Sequence, residues 1–408
     1  MVLNVAVVGG SVAGCAAALA VSRGGGAQVT VLERAAGELR SRGVGVSLHD
    51  DRYAELEAAG YVDAAMPWAE LNRRIWTVRD GDSPEGRAIA THPFPFRAYG
   101  WGSLWNELRR RVPDEVDYRT GAEVAAVEPD ADGVTLRFRD DGGDGGDGRT
   151  ERFDAVIGAD GYRSVVRNTM FPELSPDYSG YLAWRGSSPG EGPGTDARIV
   201  VFPGGHCMIY RIPGPDGEHR VNWVLYTVPP PLDGTQPDLR TPTSLPPGRL
   251  TEDLTEHLRA LVAEHFPPVW AECVLSTPAE DTLVQPIYDM EVPHYATGRL
   301  LLVGDAATVA RPHTGGGSVK ALQDACSLEA AWRAGGGDLA EVLAAYDADR
   351  TSVGATMVAL GRRLGRAQVE ETPDWAAMSE PDLEAWWQRQ HQGDARSSGF
   401  GGQALGRP

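Results

Sequence analysis

The chain has 408 residues, including 50 Gly and 29 Pro, with 42% apolar and 23% charged residues. This mixture excludes a wholly disordered chain and suits a loop-rich α/β protein of about two to three domains. The formal charge of −19, from 57 acidic against 38 basic side chains, opposes nucleic-acid phosphates and anionic bilayers. A small-molecule partner is therefore expected, with no nucleic-acid or membrane role.

Residues 2–21 are mostly apolar but lack a basic leader and are interrupted by Gly9, Gly10, Ser11 and Gly14. They read as strand, turn and helix rather than as a signal or a membrane span. Val5 to Val8 is a short buried strand, Val12 to Ser22 a small-residue helix stopped by Gly24, Gly25 and Gly26, and Val29 to Leu32 a second strand ending in Glu33. This is a βαβ unit. Tyr53 to Gly60 reads as a helix, Ile75 to Arg79 and Pro93 to Trp101 as strands and loops, Leu104 to Arg111 as a helix, and Val124 to Phe138 as hairpin material. The tip Asp140 to Gly148 contains one calcium-repeat-like frame, Gly142 to Asp147, but a single copy cannot stack, so a plain loop is expected.

Phe153 to Ile157 is strand-like and runs into Gly158. Beyond Pro172 the strands Tyr181 to Trp184, Arg198 to Phe202, Cys207 to Ile212 and Val221 to Val228 predict a second, antiparallel sheet. Pro229 to Pro247 carries seven prolines and reads as an exposed stiff loop, and Thr251 caps a helix reaching about Phe266. Leu300 to Val303 is another buried strand, followed by helices from about Gly317 to Trp332 and from Leu339 to Leu364. The expected division is a discontinuous nucleotide-binding part (1–72, 101–175 and 285–365), a sheet domain (73–100 and 176–284), and a C-terminal helix and tail (366–408).

The turn Gly9-Gly10-Ser11-Val12-Ala13-Gly14 follows a strand and opens a helix, the setting of a dinucleotide fingerprint, although Ser11 replaces its middle glycine. Gly9 permits the turn, Gly14 lets helix and strand approach, and the helix N-terminus offers N–H groups to a pyrophosphate. Glu33, 24 residues after Gly9, is placed to bind adenosine ribose hydroxyls, with Arg34 beside it. A carboxylate there suits FAD or NAD better than NADP. Downstream, Gly304-Asp305 ends a strand, and Pro312 and Gly315-Gly316-Gly317 precede a helix. That second strand-to-helix turn can hold a polyol through Asp305 and a delocalised anion through the helix dipole, as a ribityl chain and flavin ring require.

These two turns, together with Gly158-Ala159-Asp160-Gly161-Tyr162-Arg163-Ser164-Val165-Val166-Arg167, resemble the three motifs of single-component FAD-dependent aromatic hydroxylases, the para-hydroxybenzoate and salicylate hydroxylase-like family. Tyr178 to Gly186 and Arg311-Pro312-His313 resemble its 2,6-dihydroxypyridine 3-monooxygenase-like branch. The resemblance implies an α/β fold: a Rossmann-like FAD-binding domain of glutathione-reductase type, an antiparallel substrate sheet and C-terminal helices. It implies that Asp160 and Arg163 support FAD and a passing nicotinamide, that Asp305 binds the ribityl chain, that Gly315 to Gly317 face the flavin pyrimidine edge, and that Arg42 meets the pyrophosphate. Thr308, Gly316 and Val319 stand where the family usually has His, Gln and Asn.

His206 and Tyr210 lie four apart on one strand, so period-2 geometry places them on one face with Met208. Related hydroxylases use His and Tyr to deprotonate or hold a phenolic substrate. His313 follows Pro312 at the expected flavin edge, and Tyr181, Trp184, Met208 and Trp223 are candidates for the substrate pocket.

The implied activity is hydroxylation of an electron-rich aromatic or N-heteroaromatic ring through a flavin hydroperoxide, with NADH or NADPH as transient reductant and dioxygen as co-substrate. The alternatives are a catalytically silent flavin-fold binding protein, an NAD-dependent dehydrogenase, which would leave the Asp160 and Asp305 motifs unused, and a flavin halogenase. For the last, Lys320 is the sole lysine and no W-x-W-x-I-P occurs. Cys15, Cys207, Cys273 and Cys326 show no metal-ligand spacing, so no metal and a reducing, cytoplasmic setting are expected; the resemblance implies a small aromatic partner, with a homodimer open as an assembly.

Overall fold

The computed structural model describes residues 2–37, 39, 45–139, 149–214, 217–230, 239, 245 and 248–391. Its first unit is β1 (Leu3–Val8), α1 (Val12–Gly24) and β2 (Ala27–Glu33), followed by β3 (Gly45–His49), α2 (Asp50–Ala58), β4 (Ala69–Val78), β5 (Arg87–Gly100) and α3 (Trp101–Arg111). Next come β6 (Asp117–Thr120), β7 (Val124–Pro129), β8 (Val134–Phe138), β9 (Thr150–Phe153), β10 (Ala155–Gly158) and α4 (Val165–Met170). The middle region holds β11 (Asp177–Pro189), β12 (Asp196–Phe202), β13 (Gly205–Pro213), β14 (His219–Thr227), α5 (Glu252–His265) and α6 (Pro268–Leu275). It closes with β15 (Leu283–Glu291), β16 (Ala296–Thr297), β17 (Leu300–Leu302), β18 (Thr308–Val309), α7 (Gly317–Ala334), α8 (Leu339–Gly365) and α9 (Glu380–His391).

A six-stranded sheet runs in the order β16-β17-β10-β1-β2-β6, parallel except for the edge strand β16. The buried ends of its central strands, Val5–Val8 of β1, Ala155–Gly158 of β10 and Leu300–Leu302 of β17, are continuous apolar runs, as strands covered on both faces require, and the three-stranded sheet β7-β8-β9 packs into the same core. The alanines of α1 explain how tightly this layer closes: Ala16, Ala17, Ala18 and Ala20 are fully buried, and their small side chains let α1 lie close to α7.

The second sheet has nine strands, β18-β15-β11-β14-β13-β12-β4-β5-β3. It is antiparallel with one exception: β12 pairs in parallel with β4, two segments more than a hundred residues apart in the chain. β3 and β15, largely grouped by sequence with the nucleotide-binding part, hydrogen-bond into this sheet through β5 and β11. Period-2 alternation gives it two different faces. Leu182, Trp184, Cys207, Ile209, Trp223 and Leu225 pack under α5 and α6 with Leu254, Leu258 and Val262. Tyr181, Ala183, Val224, Tyr226 and Ile287 form the opposite face.

Thr251 caps α5 by accepting from the Leu254 N–H at 3.3 Å. The C-terminal segment is anchored by Trp375 and Trp386, which are buried against Trp76 on β4. Among the described residues no helix is long and apolar enough to cross a membrane. Arg42, the Asp140 to Gly148 tip and most of the Pro229 to Pro247 loop lie outside the described residues.

Candidate active site

In an open α/β sheet, ligands settle beyond the carboxyl ends of the strands, where the strand order reverses. Here that point is β1, flanked by β2 on one side and β10 on the other. Four neighbouring parallel strands end at this edge and each delivers one of the recognised groups. β1 runs out into Gly9, β2 ends at Glu33, β10 leads into Asp160, and β17 leads into Gly304-Asp305.

The turns touch. Gly9 has φ +103°, and a Cβ there would sit 2.4 Å from the Ala159 carbonyl oxygen, so β1 and β10 meet with no room for a side chain. A Cβ on Gly14 would lie 1.8 Å from the Gly9 carbonyl oxygen. Gly304, at φ +58°, abuts Ala13 in the first turn of α1. The glycines are thus required by close approach and by left-handed backbone.

Ser11 occupies the N-cap position of α1, yet its side chain caps nothing, which leaves first-turn N–H groups facing the cleft. The Glu33 carboxylate accepts from the N–H groups of Gly10 at 2.8 Å and Ala35 at 2.9 Å; its remaining lone pairs stay available. Arg34 and Arg163 are exposed on the cleft wall. Asp160 accepts from the Val165 N–H at 2.7 Å through one carboxylate oxygen, while its other oxygen is buried without a partner. Arg167 ties this motif to the next through the carbonyls of Tyr162 at 2.6 Å and Ala306 at 3.3 Å.

Asp305 is exposed on the cleft wall; the protein around it raises its pKa by desolvation, and the neighbouring Lys320 opposes that shift. The sole lysine is itself buried. Its ammonium bonds Asp324 at 2.7 Å and the Gly304 carbonyl at 3.1 Å. Asp324 also accepts from the Gly304 N–H at 2.9 Å and from Arg350 at 2.9 Å, so a buried ionic node clamps both sides of the Gly304 peptide.

One continuous cavity of about 1130 Å³ is lined by Gly9, Ser11, Glu33, Arg34, Asp160, Arg163, Asp305, Pro312, Gly315 and Gly317, and also by Met208, Tyr210, Val224 and Tyr226 of the nine-stranded sheet. Gly14, Gly304 and Gly316 stand behind this wall as packing and turn positions. Thr308, at the family's usual His position, is hydrogen-bonded to the buried Tyr295, and Val319 is core.

The aromatic and histidine candidates divide. Tyr210 and Met208 line the cavity, as their shared face predicts. His206 and His313 do not: they are buried together, ring centroids 5.2 Å apart, behind Tyr226, whose ring lies 5.0 Å from His206 and 4.5 Å from His313. Tyr181 is buried one layer deeper and pairs with His313 Nε2 at 2.7 Å. Trp184 and Trp223 correct the expectation of pocket aromatics. Both point to the α5/α6 core, and the Trp223 indole donates to Thr277 at 2.8 Å. The physical reason is parity: on β14 the side chains facing the cavity are Val224 and Tyr226, and on β11 the matching position is Arg185.

Burial lowers the His206 pKa to about 4 and drives that of His313 well below its ordinary value, with the neighbouring His206 ring and the Arg311 charge further disfavouring a second proton there. Both imidazoles are therefore neutral at physiological pH. Because the folded pKa lies below the unfolded one, each favours the folded state fully above about pH 6.5 and loses that contribution as pH falls toward the folded value. In a proton NMR titration, the imidazole resonances assigned through His206→Asn and His313→Asn should stay in place from pH 8 to 5. A shift centred near pH 6.5 would contradict the buried, neutral pair.

The sequence model of the FAD binding domain family matches residues 2–177 and 244–360. The chain is 29% identical to 2,6-dihydroxypyridine 3-monooxygenase of Paenarthrobacter nicotinovorans over 351 residues, covering 80% of this chain and 81% of that protein. It is 27% identical to salicylate hydroxylase of Pseudomonas putida over 370 residues, covering 85% of this chain and 80% of the other. The solved structure of 2,6-dihydroxypyridine-3-hydroxylase from Arthrobacter nicotinovorans superposes with a TM-score of 0.79 at 24% identity, over 100% of this chain and 99% of that one, which establishes a shared fold.

Proposed function

The chain belongs to the FAD binding domain family, and from that premise we propose that it is an NAD(P)H-dependent flavin monooxygenase hydroxylating an electron-rich aromatic or N-heteroaromatic ring in a reducing, cytoplasmic setting. One observation carries this reading. The ends of β1, β2, β10 and β17 and the aromatic face of the nine-stranded sheet line the same cavity, so cofactor and ring share one enclosure. The fit to FAD rests on the glycine cradle at Gly9 and Gly14, the uncapped start of α1, and the unpartnered buried oxygen of Asp160.

In this reading the first-turn N–H groups of α1 hold the pyrophosphate, Glu33 the ribose hydroxyls, and Asp160 and Asp305 the polyol and adjoining groups, with the Gly315 and Gly317 backbone along the flavin edge. Bound FAD supplies electron transfer from the nicotinamide and activation of dioxygen. The protein's part is enclosure and orientation. Met208, Val224 and Ile287 exclude water from the substrate end, and the hydroxyls of Tyr210 and Tyr226 hydrogen-bond the ring substituent that makes the substrate electron-rich. His206 and His313 act as positioning residues that fix Tyr226 from behind. The halogenase alternative loses support because Lys320 is engaged by Asp324 and the Gly304 carbonyl.

The test is a visible spectrum of the purified protein, followed by NAD(P)H oxidation across phenols and hydroxypyridines with product mass. Yellow protein and products gaining one oxygen atom are expected. A protein that neither binds added FAD nor oxidises NAD(P)H would overturn the proposal, and flavin binding without turnover on any ring would favour the binding-protein alternative. Tyr226→Phe should lower kcat/KM about 10-fold with flavin content unchanged, the effect of one lost substrate hydrogen bond. An unchanged kcat/KM would remove Tyr226 from the substrate contacts.

A further inference from the structure

Gly10 is the one glycine of the first turn that the dinucleotide fingerprint does not call for, and its backbone lies outside the left-handed region. What requires glycine is the space beside it: a Cβ would stand 2.2 Å from the Tyr118 hydroxyl oxygen and 2.9 Å from the Glu33 Cβ. The Gly10 carbonyl oxygen accepts from side chains on three elements, the Tyr118 hydroxyl of β6 at 2.8 Å, the Trp105 indole of α3 at 3.0 Å and the Cys15 thiol of α1 at 3.3 Å. The thiol is the weak member of the three. At the other end of the residue the Gly10 N–H donates to Glu33 Oε2 at 2.8 Å, while Glu33 Oε1 accepts from the Ala35 N–H at 2.9 Å. The Arg109 guanidinium, 3.9 Å from the centre of the Tyr118 ring, holds that ring in place, and Tyr118 pairs with Val31 on β2, two residues before Glu33. Neither Tyr118 nor Trp105 lines the cavity, so whatever they do for its contents they do through Gly10.

Resting on the reading of the cleft as an FAD site, we propose that Tyr118 and Trp105 are positioning residues for the adenosine half of the cofactor: by fixing Gly10 they fix the Glu33 carboxylate that the ribose hydroxyls meet. Hydrogen bonds in a connected chain polarise and strengthen one another, so donors gathered on the Gly10 carbonyl steady the residue whose N–H holds the carboxylate. That second bond is charge-assisted and is the longer-range of the two that orient Glu33, the other coming from Ala35 two residues on. Without the donors from α3 and β6 the turn is free to rotate and the carboxylate rests on Ala35 alone. The cost of ordering it then falls on cofactor binding, the cost that a preorganised site avoids. Because Glu33 serves the ribose, the loss is confined to ligands that carry the adenosine half.

Dissociation constants of the full chain for FAD and for FMN, which lacks the adenosine, test this without turnover. Tyr118→Phe removes one donor and keeps the ring; it should weaken FAD about 3- to 10-fold, the range of a single neutral hydrogen bond, and FMN less than about 1.5-fold. Trp105→Phe should behave in the same way. In a Glu33→Ala chain, Tyr118→Phe should weaken FAD by less than about a further 1.5-fold, since its effect runs through the carboxylate already removed. A merely structural role for Tyr118 would weaken both flavins alike and would add in full to Glu33→Ala. Either of those results, or an FAD constant that neither phenylalanine variant changes, would overturn the proposal. The double-mutant cycle is read in FAD alone, so it decides even where FMN binds weakly. A wild-type chain that takes up no FAD would instead overturn the cofactor reading and this inference with it, which is distinct from a wild type that binds FAD and variants that bind it equally well.

Discussion

Asp324→Ala is expected to destabilise the protein by about 3–5 kcal/mol, because removing one partner of a buried ion pair leaves uncompensated charge in the interior. The carboxylate is wholly buried and faces two buried cations, Lys320 and Arg350, while also accepting from the Gly304 N–H. Alanine would leave the Gly304 N–H without its acceptor and both cations without their shared counter-charge, Lys320 keeping only the Gly304 carbonyl. The Gly304 turn carries Asp305, so the loss extends from stability to the cofactor end of the cleft. Thermal unfolding, with flavin released on dilution as the second readout, checks both parts. Asp324→Asn keeps the size and one acceptor for Gly304 but not the charge, so it should fall between wild type and alanine. If alanine cost less than about 1 kcal/mol, an ordinary mutational effect, the node would be ornamental and the turn would be held by its backbone alone.

The node also shows where sequence reading stops. The strand, turn and helix around Gly9 were legible because their signals are local: a short apolar run, a glycine turn and a small-residue helix within about 25 residues. Gly304-Asp305 and the Gly158 to Arg167 motif were legible by resemblance. Asp324 was not, since its meaning depends on Arg350 and on a turn twenty residues upstream that the fold brings beside it. Alternation on β13 put Met208 and Tyr210 together, yet parity alone does not say which face of β14 meets the cavity. Trp223 attracted attention by size, while Val224 and Tyr226 hold the cavity wall. The same ambiguity hid Arg185 beside the more conspicuous Trp184, and nothing local in the sequence could have separated them. His313 was placed at the right turn, but its burial behind Tyr226 depends on packing between β14 and the 312–314 turn. The Trp375 and Trp386 anchor of the C-terminal segment was illegible for the same reason, its partner Trp76 being some three hundred residues away.

Gly14→Val should give a folded but colourless protein, its flavin affinity reduced at least 100-fold, about the loss of two charge-assisted hydrogen bonds. At this position the steric limit is severe: a Cβ would stand 1.8 Å from the Gly9 carbonyl oxygen and 3.5 Å from the Ala159 side chain. Backbone cannot rotate away as a surface side chain would, so α1 must withdraw from the β1 turn and carry its N–H groups with it. Ser11→Ala gives the contrasting case. Its hydroxyl caps nothing in the fold, and the N–H groups of the first turn remain where they are, so affinity should change less than about threefold if backbone, not side chain, holds the phosphates. Flavin titration by fluorescence quenching separates the two variants, and far-ultraviolet circular dichroism excludes wholesale unfolding of the valine form. Full flavin binding by a folded Gly14→Val protein would refute the close approach of helix and strand as the basis of the cradle. A large loss in Ser11→Ala would move the recognition from the backbone to the one residue by which this turn departs from its fingerprint.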